Sequence, residues 1–210
     1  MGRLVIVRHS ESEWNALGKW TGTTNVHLSP KGQHEAELMG EALCEISFDH
    51  VYVSQQVRTS ETLQGILKVS PTPLVPITIA AALNERDYGA YTGKNKWQVK
   101  AEIGEAAFQE LRRGWDYPVP GGETIKDVYG RVEPYYLSTI LPLLTAGKSV
   151  LIVAHGNSIR ALIKYIEAIA DIDISQVEMI FGTALIYDVD AAGRMVAKDV
   201  LTIDSPAPPA

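Results

Sequence analysis

The chain has 210 residues, 46% of them hydrophobic and 21% charged, and carries a formal net charge of −6. That length can bury one full core, and the composition excludes a disordered chain. The acidic balance argues against a nucleic-acid surface as its main business, and no apolar run is long enough to span a bilayer. Met1-Gly2-Arg3 leads straight into the first expected strand, so no leader is expected, and Ile6 stands where a myristoylation signal needs Ser or Thr. Cys44 is the only cysteine, which fits a reducing, cytoplasmic setting; it reads as a small helix residue near the core.

In chain order, Leu4-Val5-Ile6-Val7 reads as a buried strand, and Arg8-His9 sits where it runs out, followed by the polar run Ser10 to Asn15. Ligands of open α/β sheets bind beyond the carboxyl ends of the strands, so this strand delivers an imidazole and a guanidinium to such an edge. Lys19 to Thr24 is a loop whose Thr21 and Gly22 can bring hydroxyl and backbone N–H groups to a ligand. Ser29 caps a helix with Pro30 in its first turn, and Ala36, Met39, Leu43 and Ile46 mark its buried face. His34, in the same helix, reads as solvent-exposed.

A short strand over 48–53 is followed by a polar turn and a helix running through Leu67. Arg58, near the N-terminus of that helix, could point at the same edge as His9, but pattern alone favours a helix-surface arginine. Pro71, Pro73 and Pro76 mark a connector, and Leu83 to Gly89 is a dense polar cluster able to supply a general acid. Residues 97–111 read as one helix ended by Arg112-Arg113, a pair suited to a carboxylate or a phosphate. A loop over 117–123 precedes a helix over about 124–144, bent at Pro134.

Ser149 to Ala154 repeats the first design, an apolar run ending in His155-Gly156-Asn157-Ser158. Two histidines at the ends of two buried strands can share one site. A helix over 158–169, a strand over 184–189 and an edge strand over 196–201 complete the pattern. The alternation predicts an α/β fold, a three-layer α/β/α sandwich with a mainly parallel central sheet. One catalytic domain is expected over 1–204, with a disordered tail over 205–210.

Arg8-His9 and Ala154-His155-Gly156-Asn157-Ser158 resemble the histidine phosphatase superfamily. Glu11 to Asn15, Thr21-Gly22, Leu28 to Gly32, Leu83 to Gly89, Gly93 to Lys96, Arg112-Arg113 and Gly121-Gly122-Glu123 narrow it. Together they resemble the cofactor-dependent phosphoglycerate mutases, in order and over nearly the whole chain. The family usually has Gly after Arg-His; here Ser10 adds a side chain that would crowd the turn or bring a hydroxyl near the phosphoryl group. The segment between Arg113 and Gly121 is short, as in the short-chain members.

The resemblance implies His9 as the phosphoryl-carrying nucleophile, with Arg8, Arg58 and His155 around the transferring group and Glu85 as general acid and base. Lys96, Arg112 and Arg113 would hold the carboxylate and the non-reacting phosphate. Asn15, Thr21, Gly22, Tyr88 and Asn157 would add hydrogen bonds, and Ser12 and Gly156 would line the same edge. It further implies interconversion of 3-phosphoglycerate and 2-phosphoglycerate, primed by 2,3-bisphosphoglycerate and needing no metal, in glycolysis and gluconeogenesis. No metal-binding spacing occurs among His27, His34 and His50. Segment 96–113 and the tail are expected to act as lids that keep water out. Small phosphorylated metabolites are the expected partners, with no nucleic acid and no membrane; a homo-oligomer (dimer or tetramer) and a monomer both remain open. The competing readings are a phosphatase on the same fold and a non-catalytic phospholigand-binding protein.

Overall fold

The computed structural model describes residues 1–69 and 74–204. Pro71 and Pro73 of the expected connector, and the whole expected tail from Ser205 to Ala210, lie outside the described residues. Six strands form one mixed sheet in the order β3-β2-β4-β1-β5-β6: β1 (Gly2–Arg8), β2 (His50–Val53), β3 (Ile77–Ile79), β4 (Ser149–Ala154), β5 (Thr183–Val189) and β6 (Met195–Thr202). β3, β2, β4 and β1 pair in parallel, and only β5 runs against its neighbours. The expected three layers are present. On one face β1 and β4 send Val5, Val7, Leu151 and Val153 into a core with Met39 of α2 (Pro30–Ala42), Leu43 just past its end, and Leu63 and Ile66 of α3 (Val57–Val69). On the other face Leu4, Ile6, Val150 and Ile152 meet α6 (Ile125–Tyr135) and α8 (Gly156–Ile166). Apolar residues at every position are what a strand buried on both faces requires.

The registers explain why two distant histidines meet. β1 and β4 are parallel neighbours with Arg8 opposite Ala154, so the next residue of each strand, His9 and His155, leaves the sheet at the same point. After β1 the chain makes the short helix α1 (Glu13–Ala16), capped by Ser12, and returns to α2, capped by Ser29 with Pro30 at its start.

Three expectations need correction, and one strand adds to the pattern. Segment 97–111 is two helices, α4 (Lys96–Ile103) and α5 (Glu105–Arg113), because Gly104 takes φ +80°, a conformation that ends a helix. Segment 124–144 stays helical, but a π turn over Tyr136–Ile140 joins α6 to α7 (Leu141–Thr145). Pro142 has no N–H to give to the preceding turn, which accounts for an irregular ladder there. Cys44 is exposed: α2 stops at Ala42 and Leu43 takes the core position, so Cys44 turns outward. β3 was not expected at all; it is three residues long, sits at the sheet edge and exposes Ile77 and Ile79.

Gly32 shows how closely α2 approaches the turn after β1: a Cβ there would lie 2.0 Å from the Glu11 carbonyl oxygen. Gly32→Ala should therefore cost about 1–3 kcal/mol by overpacking, with the melting temperature falling roughly 2–4 °C for each kcal/mol. Thermal unfolding of the two proteins checks this.

Candidate active site

The cleft opens beyond the carboxyl ends of β1 and β4, where ligands of α/β sheets bind, and has a volume of ≈ 240 Å³. Arg8, His9, Asn15, Thr21, Gly22, Arg58, Glu85, Tyr88, Lys96, Arg112, Arg113, Gly156 and Asn157 all line it. Of the expected site residues, two lie off its wall. His155 is fully buried beside His9, with ring centroids 4.9 Å apart. Ser12 is fully buried and caps α1, accepting from the Asn15 N–H and donating to Asn15 Oδ1 at 2.7 Å. It fixes the helix that presents Asn15 rather than facing the cleft.

His9 is held in one tautomer from both sides. Arg58 Nε donates to His9 Nε2 at 3.3 Å, so Nε2 carries the lone pair and Nδ1 the proton. That Nδ1–H donates to the Ser10 carbonyl at 2.7 Å. Burial, then the charges of Arg58 and Arg8, hold the His9 pKa well below the ordinary histidine value. A neutral imidazole with a lone pair on a cleft wall is a competent nucleophile near neutral pH. The pKa of His155 is lowered too, by burial first and then by Arg58, His9 and Arg8. Its Nε2 lies 2.7 Å from Ser54 Oγ, and its Nδ1 is buried without a protein partner.

Ser10 proves compatible with the turn. Its backbone avoids the left-handed region, its N–H donates to Thr62 Oγ1, and its carbonyl is the acceptor that orients His9. Nothing in this backbone calls for glycine. Gly22 does: its φ is +53°, and its carbonyl accepts from Arg58 Nη2 and from Gln56 Nε2.

Arg58 is the residue that pattern alone misplaces. It stands in the first turn of α3 but is 0% exposed, because its guanidinium turns inward to donate to His9, to the Thr24 carbonyl and to the Gly22 carbonyl. Burial lowers its pKa to about 10, with Glu85 opposing that shift. Arg8 is lowered to about 10 by burial as well, and its guanidinium lies 3.5 Å over the Phe181 ring. Both remain charged near neutral pH.

Glu85 is presented by a clamped loop. Its Oε1 accepts from the Arg86 N–H at 2.8 Å and from the Asn157 N–H, in the first turn of α8, at 3.2 Å. Arg131, on α6, donates to the carbonyls of Ala82, Asn84 and Glu85 and pairs with Glu123. Glu123 in turn accepts from the Asp87 N–H. Tyr88 Oη accepts from Asn157 Nδ2 at 2.7 Å. Lys96, Arg112 and Arg113 come from α4 and α5, whose Val99, Phe108 and Leu111 build a small separate core with Trp20, Tyr88 and Val119. Segment 96–113 is thus a packed wall of the cleft. Burial, then Arg8 and Arg112, lower the Lys96 pKa to about 8.

Sequence reasoning missed Lys19, Trp20, Arg160 and the stretch from Glu178 to Phe181, all on the cleft wall. Arg160 follows the strand-His motif by one turn of α8, a helical spacing that could have flagged it. The stretch has no periodicity and gave no signal. Arg8 Nε, Trp20 Nε1, Thr21 Oγ1 and His155 Nδ1 are buried without protein partners around the cleft. Such atoms cost stability unless something pairs with them, and this set, amid seven cationic side chains, fits a polyanion. Among the described residues no group of three or more His, Cys, Asp or Glu is placed to hold a metal ion. No helix there is long and apolar enough to cross a membrane.

The family profile described as "Histidine phosphatase superfamily (branch 1)" matches residues 4–197. Among curated relatives, the 2,3-bisphosphoglycerate-dependent phosphoglycerate mutase of Sinorhizobium fredii is 39% identical over 202 residues, covering 95% of this chain and 96% of its own. Among solved structures, Bacillus stearothermophilus YhfR superposes with a TM-score of 0.81 at 24% identity, over 93% of this chain and 94% of its own. Mycobacterial glucosyl-3-phosphoglycerate phosphatase gives 0.77 at 21% identity, over 96% and 99%. At such identities these two likenesses speak for the fold alone.

Two titrations follow from the geometry. His9 and His155 have depressed pKa values when folded and ordinary ones when unfolded, so below about pH 6.5 the unfolded chain binds more protons. Their contribution is present above that pH and is lost as pH falls. His155→Gln should make the loss of stability between about pH 7 and 5.5 shallower, as read by urea unfolding at each pH. Lys96 loses its charge above about pH 8. Calorimetry should find that a ligand carrying both a phosphate and a carboxylate binds the free protein more weakly above that pH, and that Lys96→Arg abolishes this weakening.

Proposed function

The chain belongs to the histidine phosphatase superfamily, branch 1, and within it to the 2,3-bisphosphoglycerate-dependent phosphoglycerate mutases; from that premise we propose that it interconverts 3-phosphoglycerate and 2-phosphoglycerate through a phosphoryl group carried on His9. One observation carries the reading. A neutral His9 with its Nε2 lone pair on the cleft wall shares that cleft with Glu85 and with the cations Lys96, Arg112 and Arg113. The same residues support a substrate with a phosphoryl end at His9 and a second anionic end at α4 and α5.

In this mechanism His9 Nε2 attacks phosphorus as the P–O bond to the substrate oxygen breaks, and Glu85 delivers the proton that oxygen needs. In the reverse direction Glu85 takes the proton of the accepting hydroxyl as His9 releases the phosphoryl group. Arg8 and Arg58 hold charge against the equatorial oxygens, where a phosphoryl transition state spreads it. His155 Nδ1, unpaired by protein, donates to the same oxygens when Ser54 donates to Nε2. The Ser10 carbonyl stabilises the His9 ring as positive charge develops on it. 2,3-Bisphosphoglycerate, when bound, supplies the phosphoryl group that primes His9; Arg8 and Arg58 would hold one phosphate and Lys96, Arg112 and Arg113 the other. Exclusion of water falls to the wall formed by α4 and α5. The reaction is a step of glycolysis and gluconeogenesis, and the proposal carries the cytoplasmic setting expected from the sequence.

A coupled assay on 3-phosphoglycerate tests this. Turnover should be stimulated by 2,3-bisphosphoglycerate and should survive chelator. It should fall at least about a thousandfold in His9→Ala and about 10²–10⁴-fold in Glu85→Gln. Ser10→Gly should leave it unchanged, because the Ser10 backbone already makes the contacts that orient His9. Release of inorganic phosphate without isomerisation would overturn the proposal in favour of a phosphatase.

A further inference from the structure

Two carboxylates line the cleft, Glu85 and Glu178, and the mechanism uses only the first. Glu178 lies in the irregular stretch that leads into β5, and that stretch hangs on three of the cleft's arginines. Arg160 Nε donates to the Val177 carbonyl at 2.9 Å, and Arg8 Nη1 to the Met179 carbonyl at 2.8 Å. Between these two anchors, Glu178 Oε1 pairs with Arg113 Nη2 at 2.5 Å. The side chains are 51% exposed at Glu178 and 27% at Arg113, so the pair sits at the rim. Its field also reaches Arg112, where it partly opposes the lowering of the guanidinium pKa by burial.

An anion-binding cleft therefore carries an anion of its own on one of the cations meant for the ligand. We propose that Glu178 is a specificity-determining residue: it occupies Arg113 in the free protein and gives way to the second anionic group of a ligand whose first sits at His9. The proposal deepens the mutase reading and rests on it. A ligand with two anionic groups must displace Glu178 from Arg113 or be held against a like charge, and either costs binding energy. A single anion, bound by Arg8 and Arg58, leaves the pair intact. The anchors at Val177 and Met179 are bonds to carbonyl groups and keep the stretch in place while the Glu178 side chain swings into solvent.

Calorimetric titration of the unphosphorylated protein with 3-phosphoglycerate and, separately, with inorganic phosphate tests this without relying on turnover. Glu178→Gln should tighten 3-phosphoglycerate binding on the order of fivefold, the upper end of what a part-exposed ion pair is worth. Phosphate binding should change by less than about twofold, and the gain should shrink in high salt. In an Arg113→Gln background the same substitution should give no gain. Equal 3-phosphoglycerate affinity in wild type and Glu178→Gln would overturn the inference alone. So would equal tightening for both ligands, which marks a general field rather than competition at Arg113. Phosphate binding without any 3-phosphoglycerate binding to either protein would remove the mutase reading and this inference with it.

Discussion

A fully buried guanidinium, that of Arg58, is the constraint on which the site depends. A buried charge is tolerated only when its donors are paired. Arg58 finds its partners in two backbone carbonyls and in the lone pair of His9 Nε2 rather than in a carboxylate. Each pairing has a consequence. The bond to His9 excludes a proton from Nε2 and so keeps a lone pair on the nitrogen proposed as nucleophile, which is freed when Arg58 Nε turns to an incoming anion. The bonds to Gly22 and Thr24 draw the loop after α1 onto the cleft, where Thr21 and Gly22 form its wall. A carboxylate partner would have quenched the charge; carbonyl groups hold it in place and leave it available to an anion.

The same device recurs around the cleft. Arg131 gathers the carbonyls of Ala82, Asn84 and Glu85 and so fixes the loop that carries Glu85, the proposed general acid. Arg86 donates to the carbonyls of Glu123 and Leu111, tying that loop to the end of α5. Arg160 and Arg8 hold the stretch from Val177 to Met179. Irregular segments have no ladder of their own to satisfy backbone carbonyls, and a planar fork with five donors can serve several at once. The result is a site assembled from loops yet held to defined positions, as electrostatic preorganisation requires.

Much of this was legible in the sequence because the strands announce it. Buried parallel strands read as unbroken apolar runs, so Leu4–Val7 and Val150–Val153 pointed to His9 and His155 before any pairing was known. Their adjacency was not legible, since it depends on β4 inserting between β1 and β2. The resemblance carried the residues whose pattern is ambiguous. Arg58 has the spacing of a surface residue, and only the packing of the first turn of α3 against the loop at Gly22 turns it inward. Arg131 and Arg160 look like ordinary polar positions on amphipathic helices, and their value lies in carbonyl groups far away in the chain. The break at Gly104 was readable as a glycine but outweighed by helix-forming neighbours. The three residues of β3 are too few to show a period.

The chain as a whole is acidic, yet its cleft gathers Arg8, Lys19, Arg58, Lys96, Arg112, Arg113 and Arg160. Net charge and local field are separate quantities, and the local one decides what enters. Burial lowers the pKa of Lys96 to about 8 and of Arg8 to about 10, and the like charges packed around each add to it, so the cleft is under an electrostatic tension that a polyanion relieves. Unopposed, that tension would welcome many anions. A carboxylate on Arg113 changes the terms at one end only: the phosphoryl end near His9 keeps its full field, while the far end demands a group able to outcompete Glu178. Attraction draws the ligand in, and a repulsive element beside it distinguishes one ligand from another.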